Sequence, residues 1–314
     1  MIMKKTLHIL FLTSVATLLA VSCSREETLS PESVITVPAQ TKNDFDKWLE
    51  ANYVNPYNIE FKYRYELSET QLSYYTIPSD FWSCVQMAHL VKYSCIDSYD
   101  EVAGISFTRK YFPKQFYLQG EWQYKNNGSF TLGTAEGGKK IFLMGLNYLS
   151  KYIDDADELN HYYLKTIHHE FTHILNQTKD FPVAFSKISG GTDYPYVTDD
   201  CFSDQYNDYL IRGFITDYSQ KEDREDFAEM MSIYITHTPE WWEEQMAKAN
   251  EKAPANSKDG KIIGRERIEA KLTLVKSYML TNFGIDLDTL RDVVLRRENE
   301  IVSGKVNLKS LTIN

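Results

Sequence analysis

The spacing of hydrophobic residues divides the chain into three parts. Residues 1–22 hold an apolar run behind two lysines, which is typical of a signal peptide and too short for a transmembrane helix. Residues 23–41 begin with Cys23, are otherwise polar and show no hydrophobic period, so we expect a flexible tether. From residue 42 the hydrophobic residues become periodic, and this predicts one folded domain over 42–314.

Within the folded part the pattern predicts helices and a small sheet. Residues 43–54 have hydrophobic residues at helical spacing, whereas residues 58–67 alternate as a half-buried strand does. Further strand candidates, separated by turn residues, lie at 115–124, 129–135 and 139–147. Helices are predicted at 81–95, 157–177, about 202–213, about 222–236, 240–250, 265–281 and 286–299. The order of these predicted elements along the chain indicates an α+β fold, with a small, mainly antiparallel sheet followed by a helical half.

Composition limits the classes of partner. The 314 residues include 43% hydrophobic side chains, enough for a substantial core. The formal net charge of −10 argues against nucleic acid and against anionic lipid headgroups. We therefore expect contact with a membrane only through a lipid anchor.

The first of the four cysteines is the candidate for that anchor. Ala20-Val21-Ser22-Cys23 resembles a bacterial lipobox, in which the cysteine is lipidated and becomes the mature N-terminus. An acidic stretch follows at once and is similar to a surface-export signal. The alternative is an ordinary cleaved signal peptide with a chance cysteine. Buried free thiols are the simplest interpretation of the other three cysteines, Cys84, Cys95 and Cys201.

The sequence His169-Glu170-Phe171-Thr172-His173 carries the strongest chemical signal. On a helix, residues four apart share a face, so both imidazoles can reach one metal ion. Glu170 lies about 100° round the helix, where it can contact a water on that ion without being a ligand. An apolar stripe makes the helix the natural conformation, and it consists of Leu159, Tyr163, Ile167, Phe171, Ile174 and Leu175. We predict a catalytic zinc site with His169 and His173 as ligands and Glu170 as general base, and for His168 only a packing or hydrogen-bonding role.

A catalytic zinc ion usually has three protein ligands and one open position, so a further ligand must come from elsewhere. The predicted helix at about 222–236 places Glu225 and Glu229 on one face, one turn apart. Such a pair can supply a ligand and a partner for a ligating histidine. The alternative is a solvated acidic helix start, which the helix dipole favours. Weaker candidates are the remaining histidines His89, His161 and His237.

The segment Glu225-Asp226-Phe227-Ala228-Glu229, with Tyr218 seven residues earlier, resembles the second motif of gluzincins related to anthrax lethal factor. This resemblance implies a zincin-like fold, Glu225 as the third zinc ligand and Tyr218 as a hydrogen-bond donor to the oxyanion. With Glu225 as the ligand, we predict that Glu229 lies beside a ligating histidine. In such families the strand before the first zinc helix lies along the cleft. Here that strand is residues 139–147, and as an edge strand it could bind an extended peptide.

Most of residues 1–236 also resembles the substrate import-associated zinc metallohydrolase lipoproteins of Bacteroidetes. The likeness runs through the lipobox and the segments YNIEFKYRY, LGTAEGGKKIFLMGLN, IHHEFTHILNQ, GFITDYSQ and EDFAEM. It implies an outer-membrane lipoprotein, at the cell surface or on the periplasmic face, that accompanies nutrient uptake proteins.

Together these features predict a zinc metallopeptidase with one zinc ion per chain, which acts on a peptide or protein substrate. The bound zinc would activate a water molecule, and Glu170 would transfer its proton to the leaving amine. A hydrolase of another amide or an ester would share every site residue. The rival from a different class is a non-enzymatic zinc-containing surface lipoprotein that binds a glycan or peptide. Glu170 argues against it, because a structural zinc would not need that side chain.

Overall fold

The computed structural model describes residues 41–71, 73–125, 130–136, 139–191, 194–250 and 264–313. The predicted signal peptide, Cys23 and nearly all of the tether lie outside these residues. Lys42–Asn314 cluster as one compact unit. Within the described ranges, none of the helices combines the length and the apolar character needed to cross a bilayer.

Helices come first in the folded part. Helix α1 (Asp44–Leu49) begins with a capping box, in which the side chains of Asn43 and Asp46 each accept the other's backbone N–H. It runs on through Glu50–Val54 and Asn55–Tyr57. Helix α2 (Phe81–Leu90) continues through Val91–Ile96 into Asp97–Ala103, and α3 (Ile105–Tyr111) follows. The predicted helices at 43–54 and 81–95 are confirmed.

The sheet differs from the prediction in the direction of its strands. The strands are β1 (Glu60–Lys62), β2 (Gln115–Leu118), β3 (Gln123–Tyr124), β4 (Phe130–Thr131), β5 (Gly133–Glu136) and β6 (Lys140–Leu143). The main sheet has the order β1-β2-β6-β5, and two of its three pairings are parallel. The prediction of a mainly antiparallel sheet is therefore wrong for the main sheet, whereas β3 and β4 form a separate antiparallel pair. Helices α2 and α3 form a crossover between β1 and β2, which returns the chain in the same direction.

The position of β6 also corrects the prediction of an edge strand at 139–147. Strand β6 lies inside the sheet, between β2 and β5, and β5 is the edge strand on that side. Gly133 lets this edge approach the helix beneath it, because a Cβ there would lie 2.8 Å from Cγ2 of Thr166.

The second half is helical, as predicted. Its helices are α4 (Lys165–Thr178), α5 (Val183–Ser186), α6 (Asp223–Thr236), α7 (Pro239–Ala249), α8 (Gly264–Phe283) and α9 (Leu287–Val302). Two helical stretches, Ala156–Leu159 and Asn160–Leu164, lead without a break into α4. The helix predicted at about 202–213 is wrong. That segment forms only short 3-10 and other turns, one of which, Asp204–Tyr206, begins with the side chain of Ser203 accepting from the backbone N–H of Gln205.

A buried ion pair fixes the start of α6 to α8. The Nζ atom of Lys271 lies 2.5 Å from Oδ2 of Asp226, and both side chains are fully buried. Lys271 also donates to the carbonyl oxygen of Gly213, and the hydroxyl of Tyr196 donates to Asp226. Because charges buried in this way are costly unless paired, these contacts specify one position for the N-terminus of α6.

We expect Glu298 on α9 to make stability depend on pH. Its side chain is buried and accepts a 2.9 Å hydrogen bond from Asn160, and burial raises its pKa to about 8. Between its ordinary pKa of about 4.3 and this value, the folded state retains a proton that the unfolded state has lost. The wild-type free energy of unfolding should therefore fall as pH rises, by up to about 1.4 kcal/mol per pH unit from this group.

Glu298→Gln keeps the position neutral, so its stability relative to wild type should increase from pH 5 to pH 8. Urea unfolding at both pH values measures the difference, with Glu266→Gln, at an exposed position of α8, as the control. A stability difference that does not change with pH would contradict the assignment.

Candidate metal centre

Helix α4 presents two histidines from adjacent turns. His169 and His173 are four residues apart, and their Nε2 atoms lie 3.1 Å from each other. The opposite side of α4 is fixed in the core by the fully buried side chains of Ile167, Phe171 and Leu175. The histidine face is therefore set by the packing of the helix as well as by the spacing of the residues.

The third member comes from the first turn of α6. Oε2 of Glu225 lies 3.0 Å from Nε2 of His169 and 3.1 Å from Nε2 of His173. These are the ligand types that zinc prefers, and in a tetrahedral zinc site neighbouring ligand atoms lie about 3.3 Å apart. Lone pairs at this spacing repel one another unless a metal ion or a proton lies between them. The donor set and its spacing therefore fit a zinc ion.

The pKa values show the same demand for positive charge in the metal-free protein. Burial lowers the pKa of His169, but the carboxylates of Glu225 and Glu229 outweigh burial and raise it to about 9. Burial alone would raise the pKa of Glu225, yet hydrogen bonds to His169 and His173 hold it well below its usual range. A proton can supply the charge when no metal is bound, and a zinc ion would have to displace it.

Glu229 lies one turn further along α6, behind the first histidine. Its side chain is 1% exposed, and its Oε1 atom is 2.8 Å from Nδ1 of His169. Lys165 donates to the same oxygen at 2.7 Å, and the hydroxyl of Thr216 donates to Oε2 at 2.8 Å. Despite burial, the charges of Lys165 and His169 keep the pKa of Glu229 well below its usual range.

Tyr218 lies beside the three converging side chains. Its ring centre is 5.9 Å from that of His169, and the exposed ring of Phe202 stacks on its other side. Burial and the nearby Glu225 carboxylate raise the pKa of Tyr218 well above its usual value, so its hydroxyl stays protonated and able to donate. Lys221 donates to this hydroxyl at 3.3 Å and lies 3.5 Å from Oε1 of Glu225.

A cavity of about 710 Å³ opens next to the centre. Its lining includes Glu170, His173 and Glu225, which puts Glu170 at the same opening as two of the converging side chains. The lining also includes three acidic residues, one arginine and two apolar residues: Asp180, Glu222, Asp223, Arg224, Phe181 and Val183. The centre is therefore open to a ligand on this side.

The other histidines have different surroundings. His168 is fully buried, its Nδ1 atom lies 3.0 Å from the hydroxyl of Tyr99, and burial lowers its pKa to about 3. His89, His161 and His237 do not join the converging group. The three cysteines Cys84, Cys95 and Cys201 are free and buried.

The structure therefore brings together His169, Glu170, His173, Glu225, Glu229 and Tyr218, whereas Cys23 lies outside the described residues. Sequence reasoning did not identify Lys165, Lys221 or Thr216. For the two lysines a signal was present, because each precedes a site residue by one helical turn, His169 and Glu225 respectively. Thr216 offered no comparable signal, since its contact with Glu229 depends on a turn between helices.

Comparisons with known proteins agree with this geometry. Residues 38–288 match a family described as "putative zinc-binding metallo-peptidase". A crystal structure described as "a putative zinc-binding metallo-peptidase from Bacteroides caccae ATCC 43185" is 38% identical, with a TM-score of 0.69. The match covers 89% of this chain and all of that one. No curated protein matches the chain.

We expect the metal content to follow the converging side chains. His169→Ala and His173→Ala should each lose zinc, because two protein ligands alone hold the ion weakly, whereas Glu170→Gln should retain it. Elemental analysis after gel filtration measures the ratio of zinc to protein. The matched control is His161→Ala, an exposed histidine outside the centre. Retention of zinc by both His169→Ala and His173→Ala would refute the assignment.

Proposed function

Because the chain belongs to the family described as "putative zinc-binding metallo-peptidase", we propose that it is a zinc-dependent peptidase with its active site at His169, His173 and Glu225. The observation that carries the proposal is the convergence of these three ligand atoms at a cavity that Glu170 also lines. A zinc ion bound there would lower the pKa of a water molecule toward neutrality and polarise the scissile carbonyl group.

Glu170 is the general base in this proposal. It follows His169 directly in the sequence, so the helix turns its carboxylate about 100° away from the ligand direction. Its place in the cavity wall gives it access to a substrate and to the attacking water. Glu170 accepts the proton of that water and then donates it to the leaving amine.

Tyr218 is the proposed donor to the oxyanion. Its hydroxyl accepts a hydrogen bond from Lys221 and can donate its own proton, which in the structure is directed to Glu225 and would turn to the substrate. A donor that is itself polarised by a cation is stronger, because hydrogen bonds in a chain reinforce each other. The raised pKa of Tyr218 means that the proton is present throughout the physiological pH range.

An extended peptide is the substrate that the surroundings favour. Strand β5 is one of the two edges of the main sheet in the part of the chain that the structure describes, and it is the edge that packs against α4, at Gly133 and Thr166. A peptide added to that edge would pair its backbone with β5 and pass above α4. Main-chain pairing accepts many sequences, so specificity would depend on the side-chain subsites.

We propose further that the protein is an outer-membrane lipoprotein, anchored through Cys23 and associated with nutrient uptake proteins. The support is the lipobox-like segment that ends at Cys23 and the polar tether that follows it.

Cys23→Ala should release the protein from the membrane fraction, and a fatty-acid analogue should label wild type alone. Absence of label from wild type would refute the anchor, and surface protease accessibility in intact cells distinguishes the cell surface from the periplasmic face.

Glu170→Gln separates catalysis from binding. The amide keeps the shape of the side chain but cannot accept the proton, so hydrolysis should fall by about 10²- to 10⁴-fold while zinc content and melting temperature stay near wild type. Cleavage of a broad peptide library, with mass-spectrometric detection, measures the loss. Both proteins are first matched for zinc.

Tyr218→Phe provides a graded comparison. It removes one oxyanion donor and no ligand, so turnover should fall by about 10²-fold, equivalent to about 3 kcal/mol, with zinc retained. If neither the library nor native outer-membrane proteins are cleaved in a manner that requires Glu170, a zinc-containing binding protein replaces the peptidase.

A further inference from the structure

Glu229 is a junction of three chain segments. It lies on α6, its Oε1 atom faces both Lys165 and His169 of α4, and its Oε2 atom accepts from Thr216. Thr216 in turn accepts from the backbone N–H of Ser219 at 3.1 Å, and the two hydroxyl oxygens lie 2.9 Å apart. These contacts connect a proposed metal ligand to the turn that carries Tyr218.

A carboxylate in this position needs a compensating charge. Glu229 is 1% exposed, and removal of an ionised carboxylate from water costs several kcal/mol unless a cation lies close to it. Lys165 provides that cation at 2.7 Å, with its own side chain only 21% exposed. It precedes His169 by one helical turn, so both groups approach Glu229 from the same face of α4.

We propose that Lys165 is a positioning residue of the metal centre: its ammonium group holds the Glu229 carboxylate between His169 and Thr216, and thereby determines how tightly the centre binds zinc. The inference rests on the proposed zinc site but not on peptidase activity. A carboxylate beside the outer nitrogen of a ligating histidine fixes the orientation of the ring and strengthens the ligand. Lys165 acts through that carboxylate, because its ammonium group donates to Glu229 and not to a proposed zinc ligand.

The same junction connects zinc binding to the oxyanion donor. Rotation of the Glu229 carboxylate would withdraw the acceptor of Thr216, which braces the turn at Ser219 next to Tyr218. Loss of Lys165 should therefore disturb both the ligand His169 and the position of Tyr218. Removal of Thr216 should disturb chiefly the position of Tyr218, because the contacts of Oε1 of Glu229 with Lys165 and His169 would remain.

The test measures zinc affinity by competition with a chromogenic chelator. Lys165→Met should weaken zinc binding by up to roughly 10- to 100-fold, the usual effect of losing the outer partner of a metal ligand, because Glu229 is that partner and Lys165 holds it in place. Lys165→Arg keeps the charge and should restore most of the affinity. The matched control is Lys62→Met, because the Lys62–Glu69 pair is of similar length and the two lysine side chains are similarly exposed. It should leave zinc affinity unchanged.

Lys165→Met alone leaves a buried carboxylate unpaired, and it can fail to fold for that reason. The second measurement therefore uses Glu229→Gln, in which the carboxylate is neutral. In that background Lys165→Met should change zinc affinity less than twofold, because its target is gone. Two results would overturn the proposal. One is a loss of zinc affinity from Lys165→Met that is the same in the Glu229→Gln and wild-type backgrounds. The other is a folded Lys165→Met protein that binds zinc as tightly as wild type.

Failure of this inference differs from failure of the proposed function. If wild type binds zinc and cleaves nothing, the peptidase proposal fails while the affinity series still tests Lys165. If wild type cleaves peptides and Lys165→Met binds zinc as tightly as wild type, only the role of Lys165 is overturned. If wild type binds no zinc, both fail.

Discussion

The contact between α4 and α6 is the constraint on which the site depends. It brings two carboxylates, Glu225 and Glu229, out of water and against the two sides of one imidazole, that of His169. Buried negative charge is stable only when positive charge is supplied nearby. Lys165 and Lys221 supply part of it, since each lies beside one of the two glutamates.

The rest of the molecule keeps that contact in register. The buried pair of Asp226 and Lys271 attaches the first turn of α6 to α8, directly beside Glu225 in the sequence. On the other side, α4 is fixed by core side chains and by strand β5, which approaches it at Gly133. The C-terminal helices carry no catalytic motif, yet α8 determines where a proposed metal ligand lies.

The protonation states of the side chains at the centre are consistent with hydrolysis at neutral pH. The two carboxylates of α6 stay ionised in spite of burial, whereas the hydroxyl of Tyr218 stays protonated. Acceptors for a cation and a donor for a developing negative charge thus lie side by side. Glu170 completes this arrangement from the cavity wall without joining the converging ligand atoms.

The sequence by itself determined the local features. The spacing of His169 and His173 and the apolar stripe of α4 require only helix geometry, and the same holds for most of the predicted helices, because each pattern is complete within a few turns. Only the tertiary structure decided the order and direction of the strands, the replacement of the predicted helix at about 202–213 by short turns, and the pairing of Lys165 with Glu229. These depend on which distant segments pack together and on the cost of burying charge there, and neither can be calculated from the spacing of residues along one segment.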